Sequence, residues 1–267
     1  MHRNISILSL LCAMAFAAQP QTQSAQREKG QRELDPAFFG KWKLDIVKSR
    51  VDHPMSYEQR GDTIEYRWGT EHDSFKLDGK DYPTSMPGET TSWKQTGPRT
   101  YESTLKVNGK VLSKRVREIS PDGQRMTITM QRGGSTVVVP YQKISGGSAS
   151  NPLIGTWRAE PASAKASQPE VLTLERAPNG INYNRNGMAE FSAEFDGREH
   201  PMSGADVPPG ATVRLNWINK REFGYDSYVN GKLSWKRTLA LSPDGKTIAY
   251  TVTGAVGGST VTTWEKQ

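Results

Sequence analysis

The sequence predicts an all-β protein made of two tandem antiparallel up-and-down barrels, of about eight to ten strands each. Three observations predict it. DGKDYP at 78–83 returns as DGREHP at 196–201, one of several landmarks that recur in the same order after 115 to 123 residues. Apolar residues alternate with polar ones, as in Val213, Leu215 and Trp217 against Thr212, Arg214 and Asn216, which is the period of a strand with one buried face. The punctuation is that of tight hairpins: Asn-Gly at 108–109 and 230–231, Pro-Asp-Gly at 121–123 and 243–245.

The elements follow in chain order. Residues 1–17 place His2 and Arg3 ahead of an apolar run, Ile5 to Phe16, that ends in small residues, the pattern of a secretory signal peptide. The run is shorter than the roughly 20 apolar residues of a membrane span, and no later stretch is apolar enough to be one. The expected location is periplasmic or secreted. Cys12 is the only cysteine and would leave with that segment, so the mature chain would form no disulfide and hold no thiolate metal site. A polar stretch over 18–37 has no hydrophobic period and reads as a disordered tail. Barrel one is then expected over 38–144, a Gly/Ser linker over 145–152, and barrel two over 153–267.

Each unit opens on the same three-residue pattern, Gly40-Lys41-Trp42 and Gly155-Thr156-Trp157. With Lys48-Ser49, Asp78 to Pro83, Asn108 to Lys110, Ser120 to Gly123 and Tyr141 to Lys143, the first unit resembles an exported bacterial lipocalin-like repeat family. The second departs from that pattern: it lacks the Lys-Ser pair and has Arg198 and His200 for the lysine and the tyrosine. The resemblance implies barrels closed at one end by Trp42 and Trp157, and no catalytic residues. A large flat side chain with one polar edge suits such a floor, and a cation stacked on it adds about 1 to 2 kcal/mol when partly desolvated. Lys143, Lys266, Arg115 and Arg237 are the candidate cations.

Burying a guanidinium demands a partner, and Arg237 lies among Leu233, Trp235, Leu239 and Leu241 by period-two counting. Three readings stand: a structural stack on Trp157 or a pair with a carboxylate; a bulge that turns the side chain outward; or an anion anchor inside the barrel, where a planar guanidinium holds a carboxylate by two hydrogen bonds. Arg115 occupies the corresponding place in the first unit. Turn geometry explains the aspartate, glycine and proline of the repeated hexapeptide but not Tyr82 or His200, which could rim a barrel mouth or pack on a neighbouring loop.

No enzyme is expected. His53, His72 and His200 have no metal-ligand spacing, and nucleophile-elbow, phosphate-loop and dinucleotide motifs are absent. Glu71 and Asp73 share one strand face, read as the solvated one. The net charge of +7 comes from scattered residues and leaves an anionic envelope component as a candidate partner, whereas export disfavours nucleic acid. The expected function is a non-enzymatic binding protein whose barrels hold a small apolar or amphipathic ligand, with Arg115, Arg237, Tyr82, His200 and Trp235 as candidate contacts and no cofactor. The alternative is a structural or protein/glycan-interaction module of the envelope with filled barrels.

Overall fold

The computed structural model describes residues 33–267 except 52, 70, 133, 149, 255 and 256. The expected signal peptide and most of the polar tail lie outside the described residues. Strands in chain order are β1 (Gly40–Val51), β2 (Met55–Arg60), β3 (Thr63–Trp68), β4 (Glu71–Phe75), β5 (Asp78–Pro83), β6 (Glu89–Gly97), β7 (Thr100–Val107), β8 (Lys110–Ile119), β9 (Arg125–Arg132), β10 (Ser135–Ser145) and β11 (Gly155–Ala159). The second half continues with β12 (Lys165–Ala166), β13 (Val171–Ala177), β14 (Gly180–Arg185), β15 (Ala189–Glu194), β16 (His200–Pro201), β17 (Thr212–Asn219), β18 (Glu222–Val229), β19 (Lys232–Leu241), β20 (Thr247–Gly254) and β21 (Gly257–Lys266).

These strands form two nearly closed antiparallel barrel-like sheets, and the sheets do not follow the two sequence units. One runs β4-β3-β2-β11-β10-β9-β8-β7-β6-β5, the other β15-β14-β13-β1-β21-β20-β19-β18-β17-β16. Each unit has given its Gly-x-Trp strand to the other. The expected boundaries, 38–144 and 153–267, are therefore corrected to a central barrel over residues 55–159 and a terminal barrel assembled from β1 and β13–β21. The connection after β10 explains the exchange. It is short enough to fold β11 back antiparallel on β10, Lys143 opposite Trp157, so the place beside the last strand of the first unit is already taken. β1 then closes the terminal barrel between β13 and β21, with Trp42 opposite both Leu172 and Lys266.

Order also begins earlier than the sequence suggests. Leu34 is 4% exposed and packs into the terminal core, and Asp35 both caps the turn Pro36–Phe38 and pairs with Arg221 at 2.5 Å. A polar tail that carries one leucine at its end can still dock that leucine.

Antiparallel pairing fixes which end of each barrel is which. The Asn108-Gly109 and Asn230-Gly231 hairpins sit at the ends opposite the tryptophan floors, and all four residues adopt positive φ (48, 79, 52 and 70°), the backbone a two-residue hairpin needs. These two ends meet. Asn108 and Asn230 exchange side-chain amide hydrogen bonds of 3.0 and 3.4 Å, and Lys110 Nζ donates to the carbonyl of Val207 at 3.1 Å. Val107, Leu112, Val207, Ala211 and Val229 form an apolar seam there.

Candidate functional site

The floors are built identically and use the exchanged strands. Trp157 Nε1 donates to the Leu153 carbonyl at 3.0 Å, and Trp42 Nε1 to the Phe38 carbonyl at 2.8 Å. Lys143 lies 4.6 Å from the Trp157 ring centroid and donates to the carbonyls of Pro152 and Ile154. Lys266 lies 5.0 Å from Trp42 and donates to those of Ala37 and Phe39. Glycine is required before each tryptophan. A Cβ on Gly155 would meet the Ser145 carbonyl at 2.9 Å, and the residue holds φ 134°. Both tryptophans lie buried at one end of their barrels, stacked on lysines rather than on Arg115 or Arg237.

Above its floor the central barrel is filled. Phe75 and Trp93 stack at 4.1 Å, and Arg117, 3% exposed, lies 4.0 Å over Trp93. Arg117 donates to Tyr57 Oη at 3.1 Å and to Ser103 Oγ at 2.8 Å. The terminal barrel is filled at the same level by Tyr183, Tyr225 and Tyr250, whose hydroxyls form a chain (2.7 and 3.4 Å). Burial holds the Tyr183 and Tyr225 phenols well above their ordinary range.

The upper part of the central barrel is different. Glu71, Asp73 and Phe75 alternate inward from β4, opposite the inward Trp68, Tyr66 and Ile64 of β3. Glu71 is 9% exposed, and its Oε1 has no hydrogen-bond partner among the described residues. Burial first, then the charges of Asp73 and Glu89, pushes its carboxyl up to about 8, with Arg115 pulling the other way. Burial likewise pushes Glu89, on β6, up to about 7 against Arg115 and Arg132. Asp73 Oδ1 accepts the Ser85 backbone N–H at 2.7 Å, which ties together the two edges of the sheet. From the facing wall, Ser113 and Arg115 point inward on β8. Ser113 is 3% exposed and its Oγ also has no partner among the described residues. Arg115 makes no hydrogen bond or ion pair among the described residues, although its charge reaches Glu71, Glu89, Tyr66 and Tyr141. Tyr141 is pushed up to about 12 by burial. Arg132 is committed elsewhere, to Asp206 Oδ2 at 2.7 Å, on the loop that the terminal barrel sends against this end. Glu71 and Asp73, expected on a solvated face, thus line the interior. The reason is that β4 borders the barrel seam, where its even-numbered residues, His72 and Ser74, take the outward face and both bond Glu65.

The other candidate residues are placed as follows. Arg237 stays among Leu239 and Leu241, but a bulge at Ser234 breaks the period before it, leaving Leu233 opposite Tyr228 and Trp235 opposite Ser227. Its guanidinium lies 5.2 Å over Tyr225, not Trp157, and donates to Ser227 Oγ at 2.8 Å. Trp235 occupies in the terminal barrel the position that Ser113 has in the central one. Tyr82 Oη donates to Asp78 at 2.9 Å, and His200 Nε2 lies 3.1 Å from Asp196, so both close the same turn four residues back. The aspartate's other role is also repeated, accepting the N–H of Lys80 or Arg198. Among the described residues neither side chain bonds Glu71, Asp73, Glu89 or Arg115. Among the described residues no three His, Cys, Asp or Glu side chains are grouped to hold a metal ion.

An open depression of about 520 Å³ lies on the outer side of β13–β15, lined mainly by Thr173, Glu175, Asn182, Asn184, Glu190 and Ser192. Compared with models of known protein families and with curated proteins, the chain matches none.

Proposed function

We propose that this chain is an exported, non-enzymatic binding protein of the cell envelope that holds one small polar or amphipathic ligand in the charged chamber of the central barrel. One observation carries the reading: among the described residues an inward guanidinium, Arg115, and two buried polar atoms, Ser113 Oγ and Glu71 Oε1, stand without hydrogen-bond partners at the same end of the central barrel. Each unsatisfied buried group costs about 1 to 3 kcal/mol, and at the corresponding level of the terminal barrel Arg237 is instead bonded to Ser227. In this reading Arg115 takes the acidic end of the ligand by two parallel hydrogen bonds. The filled lower halves limit the guest to the upper chamber and disfavour a long apolar ligand. The signal-like segment over 1–17 supports export.

A second reading, a glycan- or protein-contacting module with filled barrels, is favoured by the amide- and carboxylate-lined depression outside β13–β15. Native mass spectrometry of the protein purified from its own host separates them. A retained small molecule that disappears in Arg115→Gln supports the chamber. A retained molecule that survives Arg115→Gln but is lost with Asn182→Ala moves the site to the outer depression, and a bare protein in every case removes the small-molecule reading.

A further inference from the structure

The chamber holds more acid than its free cation can neutralise. Glu71 and Asp73 enter from β4 and Glu89 from β6, while of the two nearby arginines Arg132 is held by Asp206 at 2.7 Å, which leaves Arg115. The terminal barrel shows that the scaffold does not need these acids. Matching registers put Ala189 where Glu71 stands, Phe191 for Asp73 and Trp235 for Ser113, with Ala211, just before β17, at the place of Glu89, yet keep an arginine, Arg237, in place of Arg115. The acids and the open serine differ together; the arginine does not.

We propose that the central chamber binds a small zwitterion bearing a carboxylate and an ammonium group, as in a free amino acid, with the carboxylate on Arg115 and the ammonium between Glu71 and Glu89. This rests on the reading of Arg115 as the anion anchor and adds the opposite pole. A dianion would set its second charge against three carboxyl groups. A simple amine would leave the guanidinium, which bonds none of these carboxyls, without a hydrogen-bond acceptor in a desolvated site. An amino-carboxylate answers both, and gives Glu71 Oε1 and Ser113 Oγ the partners they lack. Burial pushes the Glu71 and Glu89 carboxyls up to about 8 and about 7, so an arriving ammonium ionises them and binding near neutral pH releases protons. The charged and titratable groups around Glu71 are Asp73 on its own strand, Tyr66 on β3, Glu89 on β6 and Arg115 on β8.

The test is calorimetric titration of the full mature chain with each of the twenty common amino acids, and of any that binds with its C-terminal amide and its N-acetyl derivative. The expected result is a binder that loses about tenfold or more in affinity on either modification. Glu71→Gln should weaken the parent but not the N-acetyl derivative, and Arg115→Gln the parent but not the amide. Buffers of different ionisation enthalpy should report protons released at pH 7.5. An N-acetyl derivative that binds as tightly as its parent, unaffected by Glu71→Gln, overturns the ammonium pole and leaves the anion anchor intact. If no amino acid or derivative binds at about 10 mM, the inference falls. The reading of the chamber then stands only where protein from the host carries a ligand that Arg115→Gln removes.

Discussion

At the level of Arg115 and Arg237 the two barrels carry the same residue on the same strand, and everything around it differs. In the terminal barrel the guanidinium stacks on Tyr225, bonds Ser227 and sits beside Trp235. In the central barrel the corresponding guanidinium has no such bond and faces carboxyls in place of alanine and phenylalanine. At this level one scaffold bonds its arginine, and the other leaves Arg115, Ser113 Oγ and Glu71 Oε1 without hydrogen-bond partners among the described residues. The floors, by contrast, agree to the individual hydrogen bond. What is common to both copies is structural, and the candidate site is what only one copy has.

Changes that attack the shared part should have the largest effect. Trp157→Ala and Trp42→Ala should each cost about 3 to 5 kcal/mol, measured by chemical denaturation. Since the tryptophans are exchanged, hydrogen exchange should show Trp157→Ala loosening residues 55–145 first and Trp42→Ala the terminal barrel, and the reverse pattern would refute the strand order. Next comes Arg117→Ala, which removes a buried stack and two hydrogen bonds that the terminal barrel replaces by Leu239; a loss of about 2 to 4 kcal/mol is expected, against under about 1.5 kcal/mol for Arg117→Met.

Acidity sharpens the comparison further. Folding raises the Glu71 and Glu89 carboxyls above their ordinary value, so the folded chain binds more protons than the unfolded chain between about pH 4.5 and 8. Their contribution to stability is fullest below the ordinary glutamate range and is lost as pH rises through about 7 and 8. The melting temperature should therefore fall by several degrees from pH 5 to pH 8.5, and Glu71→Gln should flatten that slope. A slope unchanged by the substitution would place the titration elsewhere. The smallest effect is assigned to Arg237→Ala: a melting temperature lower by about 2 to 4 °C with ligand retention unaltered, whereas Arg115→Gln does the opposite. If the two arginines behave alike, the barrels are not divided in function.

Much of this fold was legible in the residues. Period-two alternation, the Asn-Gly hairpins and the two Gly-x-Trp openings located the strands, and the end of each unit, Tyr141-Gln142-Lys143 or Trp264-Glu265-Lys266, supplied the lysine that caps the floor. The exchange was not legible, because Gly40-Lys41-Trp42 and Gly155-Thr156-Trp157 present nearly the same edge and the same indole to either sheet. Glu71 and Asp73 were visible as a pair on one face. Which face it was depended on where the sheet's edges meet, and that is settled by strand order rather than by local pattern. Arg117 was hidden for a related reason: β8 carries Ser113, Arg115 and Arg117 on one side, and polar residues in that number imitate an exposed face.

The exchanged strand also governs the order in which the molecule can be finished. During synthesis every piece of the central barrel has left the ribosome by residue 159, while the ladders that hold β1 need residues 171–174 and 260–266. β1 is thus made well before its permanent neighbours, and until residue 155 emerges it can borrow the berth beside β10 that β11 will claim. Chains truncated at residue 150 and released should bury Trp42 against Lys143, and full-length chains should not.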